Sequence, residues 1–278
     1  ALALMIGLFS WQSEYFFTAD TFVTIANDIP AVAVTAVGMT FVLIIAGIDL
    51  SVGSTMALAA AVAGIAMLQW HWPLLPATLL AMLTGLGVGA INGAVTVAWR
   101  LPSFIVTLGM LEMARGAAYV ATDSRTQYIG GAIDWLGKPV VAGLSPAFFL
   151  AIAIVAVAQV VLTRTVFGRS LVGIGTNEEA MRLAGVDPRP IKIAVFAIAG
   201  LLAGLGGVIQ SSRLEAADPN AGTGAELVVI ASVVIGGTSL MGGRGSVAST
   251  FFGVLVISVL EAGLAQIGAS EPTKRIIT

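Results

Sequence analysis

The sequence contains no cysteine, which excludes disulfides, thiolate metal sites and cysteine nucleophiles. Its single histidine, His71, cannot supply a two-histidine metal site. Charge is equally scarce: only 10% of the 278 residues are Asp, Glu, Lys or Arg, against about 25% in a typical soluble domain. Thirteen basic residues against fifteen acidic ones leave a net charge of −2, so the basic footprint of a nucleic-acid binder is missing. What fills the chain instead is apolar, 58% of all residues, with a mean hydropathy of +0.99. A soluble fold of this size cannot bury that much apolar surface. The composition is that of a polytopic membrane protein. The sequence opens inside an apolar run, shows no targeting peptide and stops at Thr278, which reads as the ordered part of a longer protein.

A membrane helix takes about 20 apolar residues to cross about 30 Å of hydrocarbon. Cut at proline, glycine clusters and charges, the apolar runs are 1–10, 31–48, 52–69, 74–98, 103–121, 146–163, 191–210, 225–237 and 246–264. None alternates with period two, which rejects a β-barrel. The nine runs, with a tenth beginning at Ile276–Thr278, predict an all-α membrane domain over 1–278 with about ten transmembrane helices. The run 225–237 is short and needs a turn from its neighbours at each end. Orientation follows the basic residues. Arg164, Arg169, Arg182, Arg189 and Lys192 crowd the connection between the sixth and seventh runs. Placing that connection inside also places Arg100, Arg244 and the N-terminus on the cytoplasmic side. Arg125, Lys138, Arg213, Lys274 and Arg275 then lie outside, with most of the acidic residues, among them Glu14, Asp20, Asp28, Asp123, Asp134, Glu215, Asp218 and Glu271.

Glycine is abundant, with 33 residues, and its spacing has a use. Gly85, Gly89 and Gly93 form a stripe at i, i+4 and i+8, and Ala199-Gly200, Ala203-Gly204 and Gly206-Gly207 form a second small-residue cluster. Such stripes let helix backbones approach closely in lipid. Packing within the chain is the plainer expectation, and a subunit interface is the alternative.

Polar residues inside apolar runs are costly and mark paths, gates or structural pairs. Asp49 sits in a Gly47-Ile-Asp-Leu-Ser51-Val-Gly53-Ser54 break. It caps the following helix, lines a path or its inner gate, or couples protons; Ser51 and Ser54 are good capping types as well. Glu112 and Arg115 stand at i, i+3, spaced to pair on one helix face. Asn92 and Gln159 are expected to bond between helices, and Glu226 either faces the pathway or favours a helix start; Glu261 is a further pathway candidate. Gly236–Gly245 carries five glycines with Thr238, Ser239 and Arg244, and reads as a tight re-entrant turn or as a gate. It lacks the spacing of a phosphate loop, so no nucleotide cofactor is expected in this chain. Trp70-His71-Trp72-Pro73, with Trp11 and Tyr15, reads as an interfacial aromatic belt. No nucleophile motif surrounds any serine, so no catalytic residue and no metal ligand is assigned.

The stretch 164–190 contains a punctuated short helix. Thr176 with Glu179 has capping-box spacing, Glu178 and Glu179 add charge to the first turn, Gly185 supplies a left-handed stop and Pro188 bars resumption. About two turns cannot stand alone in water. The helix either rests on the bilayer or docks on a soluble partner, with Met181 and Leu183 as the plug and Arg182 at the rim. The run Glu179-Ala180-Met181-Arg182-Leu183-Ala184-Gly185 resembles the coupling loop of ABC importer permeases. Gly47–Ser54, Ala221–Leu227 and Gly236–Gly245 narrow the resemblance to the ribose/xylose/galactose-type permease family, over nearly the whole chain.

That resemblance implies an inner-membrane permease subunit that forms the path for a monosaccharide in an ATP-driven importer. Its implied partners are an ATPase pair that binds ATP and Mg, a periplasmic sugar-binding protein, a second permease copy (the same or similar) and membrane lipid. Glu178, Glu179, Ala180, Met181, Arg182, Leu183 and Gly185 are then the ATPase-coupling residues. Asp49, Ser51, Asn92, Glu112, Arg115, Glu226, Thr238 and Ser239 are the candidates for path or gate. An ion-coupled secondary transporter is the alternative, using Asp49, Glu112 and Arg115 as a relay. The outer acidic residues Asp123, Asp134, Glu215 and Asp218 are a candidate docking face for the binding protein.

Overall fold

The computed structural model describes residues 2–270 with 273, 274 and 277. Of the predicted tenth run only Ile277 is among them, and the basic and acidic assignments of Arg275 and Glu271 lie outside these residues. Twelve α-helices are described: α1 (Leu2–Gln12), α2 (Ala19–Asp28), α3 (Pro30–Ile44), α4 (Val52–Leu68), α5 (Leu74–Ala98), α6 (Ser103–Ala121), α7 (Pro146–Arg164), α8 (Val166–Thr176), α9 (Glu178–Leu183), α10 (Pro188–Leu214), α11 (Ala225–Ile235) and α12 (Val247–Gln266). Two short strands, β1 (Gln127–Tyr128) and β2 (Ala216–Ala217), pair antiparallel with Gln127 opposite Ala217 and Tyr128 opposite Ala216.

Each of the nine apolar runs contains a helix, but the expectation of about ten spans is corrected. Among the described residues, five helices are long and apolar enough to cross a membrane: α5, α6, α7, α10 and α12. The α2–α3 pair, bent by 48°, raises the number to six if it counts as one span. The physical reason lies in two breaks. The run 31–48 stops at Ile44 because Ala46 adopts a left-handed conformation (φ 58°). There the amides of Ala46 and Gly47 turn back to the carbonyls of Leu43 and Val42, the pairing of a Schellman stop. On the far side α4 has 17 residues, about 25 Å. The other break precedes α11, whose 11 residues rise only about 16 Å. A methyl group on Gly53, at the start of α4, would lie 2.3 Å from the Gly222 carbonyl and 2.5 Å from Glu226 Oε2. The first turns of α4 and α11 therefore abut inside the bundle, and neither helix is a full span.

The centre of the bundle is α3, α4 and α10. Every residue of α3 except Val32 is buried. Around them α5, α6 and α7 leave large apolar side chains such as Leu83, Met113 and Val157 exposed, as suits helices facing lipid. The two glycine clusters meet each other: a methyl group on Gly85 would sit 2.1 Å from the Gly200 carbonyl, and one on Gly200 would sit 2.1 Å from that of Gly85. The stripe packs α5 on α10 within the chain, as the plainer expectation had it. One end of the bundle, here the basic end, gathers the α3–α4 and α5–α6 connections, α8, α9 and the 236–246 turn. The opposite end carries β1 and β2, the Asp28–Arg213 ion pair at 2.6 Å, and Asn27, whose Nδ2 donates to the Gly143 carbonyl at 2.9 Å.

Replacing Gly200 by valine is expected to lower unfolding stability in detergent by about 1–3 kcal/mol, the usual cost of overpacking. Gly87→Val, with nothing within 4 Å of the added carbon, is expected to leave the thermal midpoint unchanged.

Candidate functional site

The α3–α4 break exposes main-chain groups inside a bundle that offers no water, so each must find a partner there. The α6 start supplies two. The Ile48 amide donates to Ser103 Oγ at 2.9 Å and the Leu50 amide donates to Thr107 Oγ1 at 3.1 Å. The Thr107 hydroxyl in turn donates to the Ile48 carbonyl at 3.2 Å. Sequence reasoning missed Ser103 and Thr107; their spacing of four at a helix start was the available signal.

Asp49 is 1% exposed. Its Oδ1 accepts from the Ser51 amide at 2.9 Å and from the Ser51 hydroxyl at 2.6 Å, so the carboxylate serves the first turn of α4. Asn92, buried in α5, donates Nδ2 to Ser51 Oγ at 2.9 Å. Three of the sequence candidates, Asp49, Ser51 and Asn92, are thereby joined in one chain across two helices. The Oδ1 of Asn92 is buried with no partner among the described residues.

Glu112 and Arg115 do not form the expected pair, since no ion pair within 4 Å joins them. Glu112 is exposed, while Arg115 Nη1 donates to the carbonyls of Pro219 at 2.5 Å and Ala221 at 2.8 Å. The guanidinium reaches across to the 218–224 turn instead, where two main-chain carbonyls accept charge-assisted hydrogen bonds from one nitrogen. Glu226 occupies the first turn of α11, beside that turn and Gly53. Gln159 bonds between helices as expected, its Oε1 accepting from the Ala248 amide at 3.0 Å.

Thr238 and Ser239 belong to the glycine-rich turn at the basic end. The Ser239 amide donates to the Arg244 carbonyl at 2.9 Å, closing a tight loop, and Thr238 Oγ1 is buried without a partner among the described residues. The Gly243 amide donates to the Ile44 carbonyl at 2.8 Å, occupying the open end of α3. Against the same point lies Gly175, where a methyl group would fall 1.7 Å from the Ile44 carbonyl oxygen. Three residues later α9 begins.

The α9 cap is Asn177, whose Oδ1 accepts from the Ala180 amide at 2.9 Å. The predicted Thr176 cap is displaced by one residue, because the Thr176 hydroxyl is engaged at the Val172 carbonyl of α8 at 2.8 Å. Gly185 does take the left-handed stop (φ 85°). Pro188 starts the next helix rather than barring one: Asp187 caps α10 and Pro188 fills its first turn, where the missing amide costs nothing. Met181 and Leu183 point different ways. Met181 packs over Gly173 of α8, and Leu183 is 82% exposed. Lys192 donates to Glu178 at 2.5 Å and Arg182 lies 3.5 Å from the same carboxylate; Glu179 and Ala180 are exposed.

At the opposite end the acidic residues are not one free face. Asp134 is 7% exposed and paired with Lys138, a bond that raises the Lys138 ammonium above its ordinary value. Glu215 Oε2 accepts from the Tyr128 hydroxyl at 3.1 Å. Asp123 is left exposed and Asp218 half-buried. No cluster of three or more His, Cys, Asp or Glu side chains that would hold a metal exists among the described residues.

A family model described as "branched-chain amino acid transport system / permease component" matches residues 21–278. The chain belongs to this permease family. It is 38% identical to the ribose import permease protein RbsC of Haemophilus influenzae over 98% of this chain and 85% of that one. It is 35% identical to the D-allose transport system permease protein AlsC of Escherichia coli, over 95% and 81%. It is 32% identical to the probable ABC transporter permease protein YphD of the same organism, over 99% and 83%. No solved structure matches it. The chain is thus a membrane permease subunit of an ABC-type importer, and the ion-coupled secondary transporter falls away.

The break yields a test. Asp49→Asn keeps an acceptor oxygen for Ser51 and is expected to preserve stability. Asp49→Leu leaves the Ser51 amide and the Ser51 hydroxyl proton without their acceptor and is expected to cost about 1–3 kcal/mol in thermal unfolding.

Proposed function

We propose that this chain is the path-forming subunit of an inner-membrane importer for a monosaccharide, with the N-terminus and the basic end cytoplasmic. The solute class is supported by the relatives, which are ribose and allose permeases by name. The concentration of Arg164, Arg169, Arg182, Arg189 and Lys192 in one connection supplies the orientation. The partners are two ATPase subunits, which bind ATP and Mg, a periplasmic sugar-binding protein and a second permease copy.

One observation carries the reading of the mechanism: α8, which leads into α9, abuts the end of α3 at the α3–α4 break backbone to backbone. Gly175 and Gly243 meet at the Ile44 carbonyl, Ile44 ends α3, and the break with Asp49 follows. Residues 178–185 dock on the ATPase through the exposed Leu183, Glu179 and Ala180, while Met181 fixes the helix to α8. Displacement of α9 by ATPase closure then moves Gly175, the end of α3 and the break together. The solute passes beside the abutting starts of α4 and α11. Asn92 Oδ1 and Thr238 Oγ1, both lacking partners, supply acceptors for sugar hydroxyls as the break shifts. Ser51 and Ser239 hold the turns on either side, and Arg115 and Glu226 position the 218–226 turn.

Uptake of labelled ribose and allose into proteoliposomes tests the reading, with the ATPase and the binding protein omitted in turn. Uptake is expected to need ATP and both partners and to ignore an ionophore; uptake by this chain alone would sink it. The coupling step has its own variants. Gly175→Ala and Gly185→Val are expected to reduce uptake at least tenfold while leaving membrane insertion intact. Unchanged uptake in both would remove α9 from the mechanism.

A further inference from the structure

At the basic end a cavity of about 310 Å³ opens between three elements: the end of α5, α9 and the start of α10. Its polar lining is Thr96, Arg100, Glu178, Arg182, Arg189 and Lys192. Four cations thus face one carboxylate. Glu178 is engaged by Lys192 at 2.5 Å and by Arg182 at 3.5 Å, and Arg182 also lies 3.7 Å from Glu179. Arg100 and Arg189 have no carboxylate within 4 Å among the described residues. The hydroxyl of Thr96 is buried and unpartnered among the described residues. Two unneutralised guanidinium forks and an idle hydroxyl in one cavity are a donor set without its acceptor.

The missing acceptor is an anion with several oxygens. Guanidinium groups present paired N–H donors that match phosphate geometry, and the pairing is charge-assisted. The cavity is large enough for a phosphate with its ester substituent and too polar for an acyl chain. Its position names two sources. Trp99 and Leu101, beside Arg100, are exposed at the end of a membrane-spanning helix, the depth at which aromatic side chains meet lipid headgroups. Basic pockets between helices on the cytoplasmic side hold lipid phosphates. The cavity also opens beside α9, towards soluble phosphates.

We propose that this cavity binds a phosphate group, with Arg100 and Arg189 as the gripping forks and the Thr96 hydroxyl as a further donor. A phosphate there bridges α9 to the packed α5–α10 pair, and so fixes where α9 stands relative to both. Binding itself does not depend on the coupling role given above to α9, only its effect on transport does.

The test uses the purified permease alone, so that failure of the importer reading leaves it intact. One arm places the protein in phosphatidylcholine nanodiscs with increasing phosphatidylglycerol and counts retained lipid by native mass spectrometry. The other holds the discs at pure phosphatidylcholine and titrates inorganic phosphate against chloride at equal ionic strength, reading the thermal midpoint. Wild type is expected to respond in at least one arm; a response to phosphatidylglycerol alone assigns a lipid, and one to inorganic phosphate a soluble ligand. In the responding arm the pair Arg100→Gln with Arg189→Gln is expected to weaken binding at least tenfold. Arg100→Lys with Arg189→Lys, which keeps the charge and loses the forks, is expected to fall between. Glu178→Gln, which frees Lys192 and leaves Arg182 only its looser pairing with Glu179, is expected to bind severalfold tighter. No response in either arm overturns the site. So does a lysine pair equal to wild type together with a Glu178→Gln variant that binds no tighter, a comparison that stands even if the glutamine pair does not fold.

Discussion

Inside a membrane bundle an amide that leaves a helix has no water to turn to, and the α3–α4 break is arranged around that constraint. Two α6 hydroxyls receive the amides of Ile48 and Leu50, a carboxylate receives that of Ser51, and a glycine amide from a distant turn covers the Ile44 carbonyl. The partners come from α6, from the break itself and from the 236–245 turn, and Asn92 of α5 holds Ser51 from behind, so the break is stable only while α6, α5 and that turn stay in place around it. An unsatisfied buried backbone group costs several kcal/mol in lipid. This is why the break is ordered rather than frayed, and why a shift of one neighbour is felt by the others.

The glycines serve that arrangement in two distinct ways. Between α5 and α10 they remove side chains so that two helices lie backbone to backbone, which makes a stiff central pair. At Gly175 the same absence lets a helix end touch the carbonyl that closes α3. The first contact makes α5 and α10 one stiff unit, and the second brings α8, at the basic end, directly against the end of α3.

Much of this was legible in the sequence. Nine apolar runs became nine helices, the small-residue stripe packed where its spacing said, and Gly185 stopped α9. Failures came where tertiary partners outbid local ones. Length and hydropathy marked 31–48, 52–69 and 225–237 as spans, but the turns that shorten α3, α4 and α11 depend on contacts with α6, the glycine-rich turn and each other. Glu112 and Arg115 had the right spacing to pair, yet the arginine went to carbonyls more than a hundred residues away. Thr176 had the right type for a cap, yet α8 ran one residue further and claimed its hydroxyl. The amphipathicity of a six-residue helix gave no means of telling that Met181 turns in and Leu183 turns out.

Arg115 holds the 218–224 turn by main-chain oxygens rather than by side chains. A grip of that kind is blind to amino-acid identity. The side chains at 219 and 221 can be exchanged while Arg115 keeps its hold, whereas Gly222 between them and α11 cannot, since a methyl group there would lie 2.7 Å from the Gly53 carbonyl; tolerance and intolerance to change alternate along one short turn.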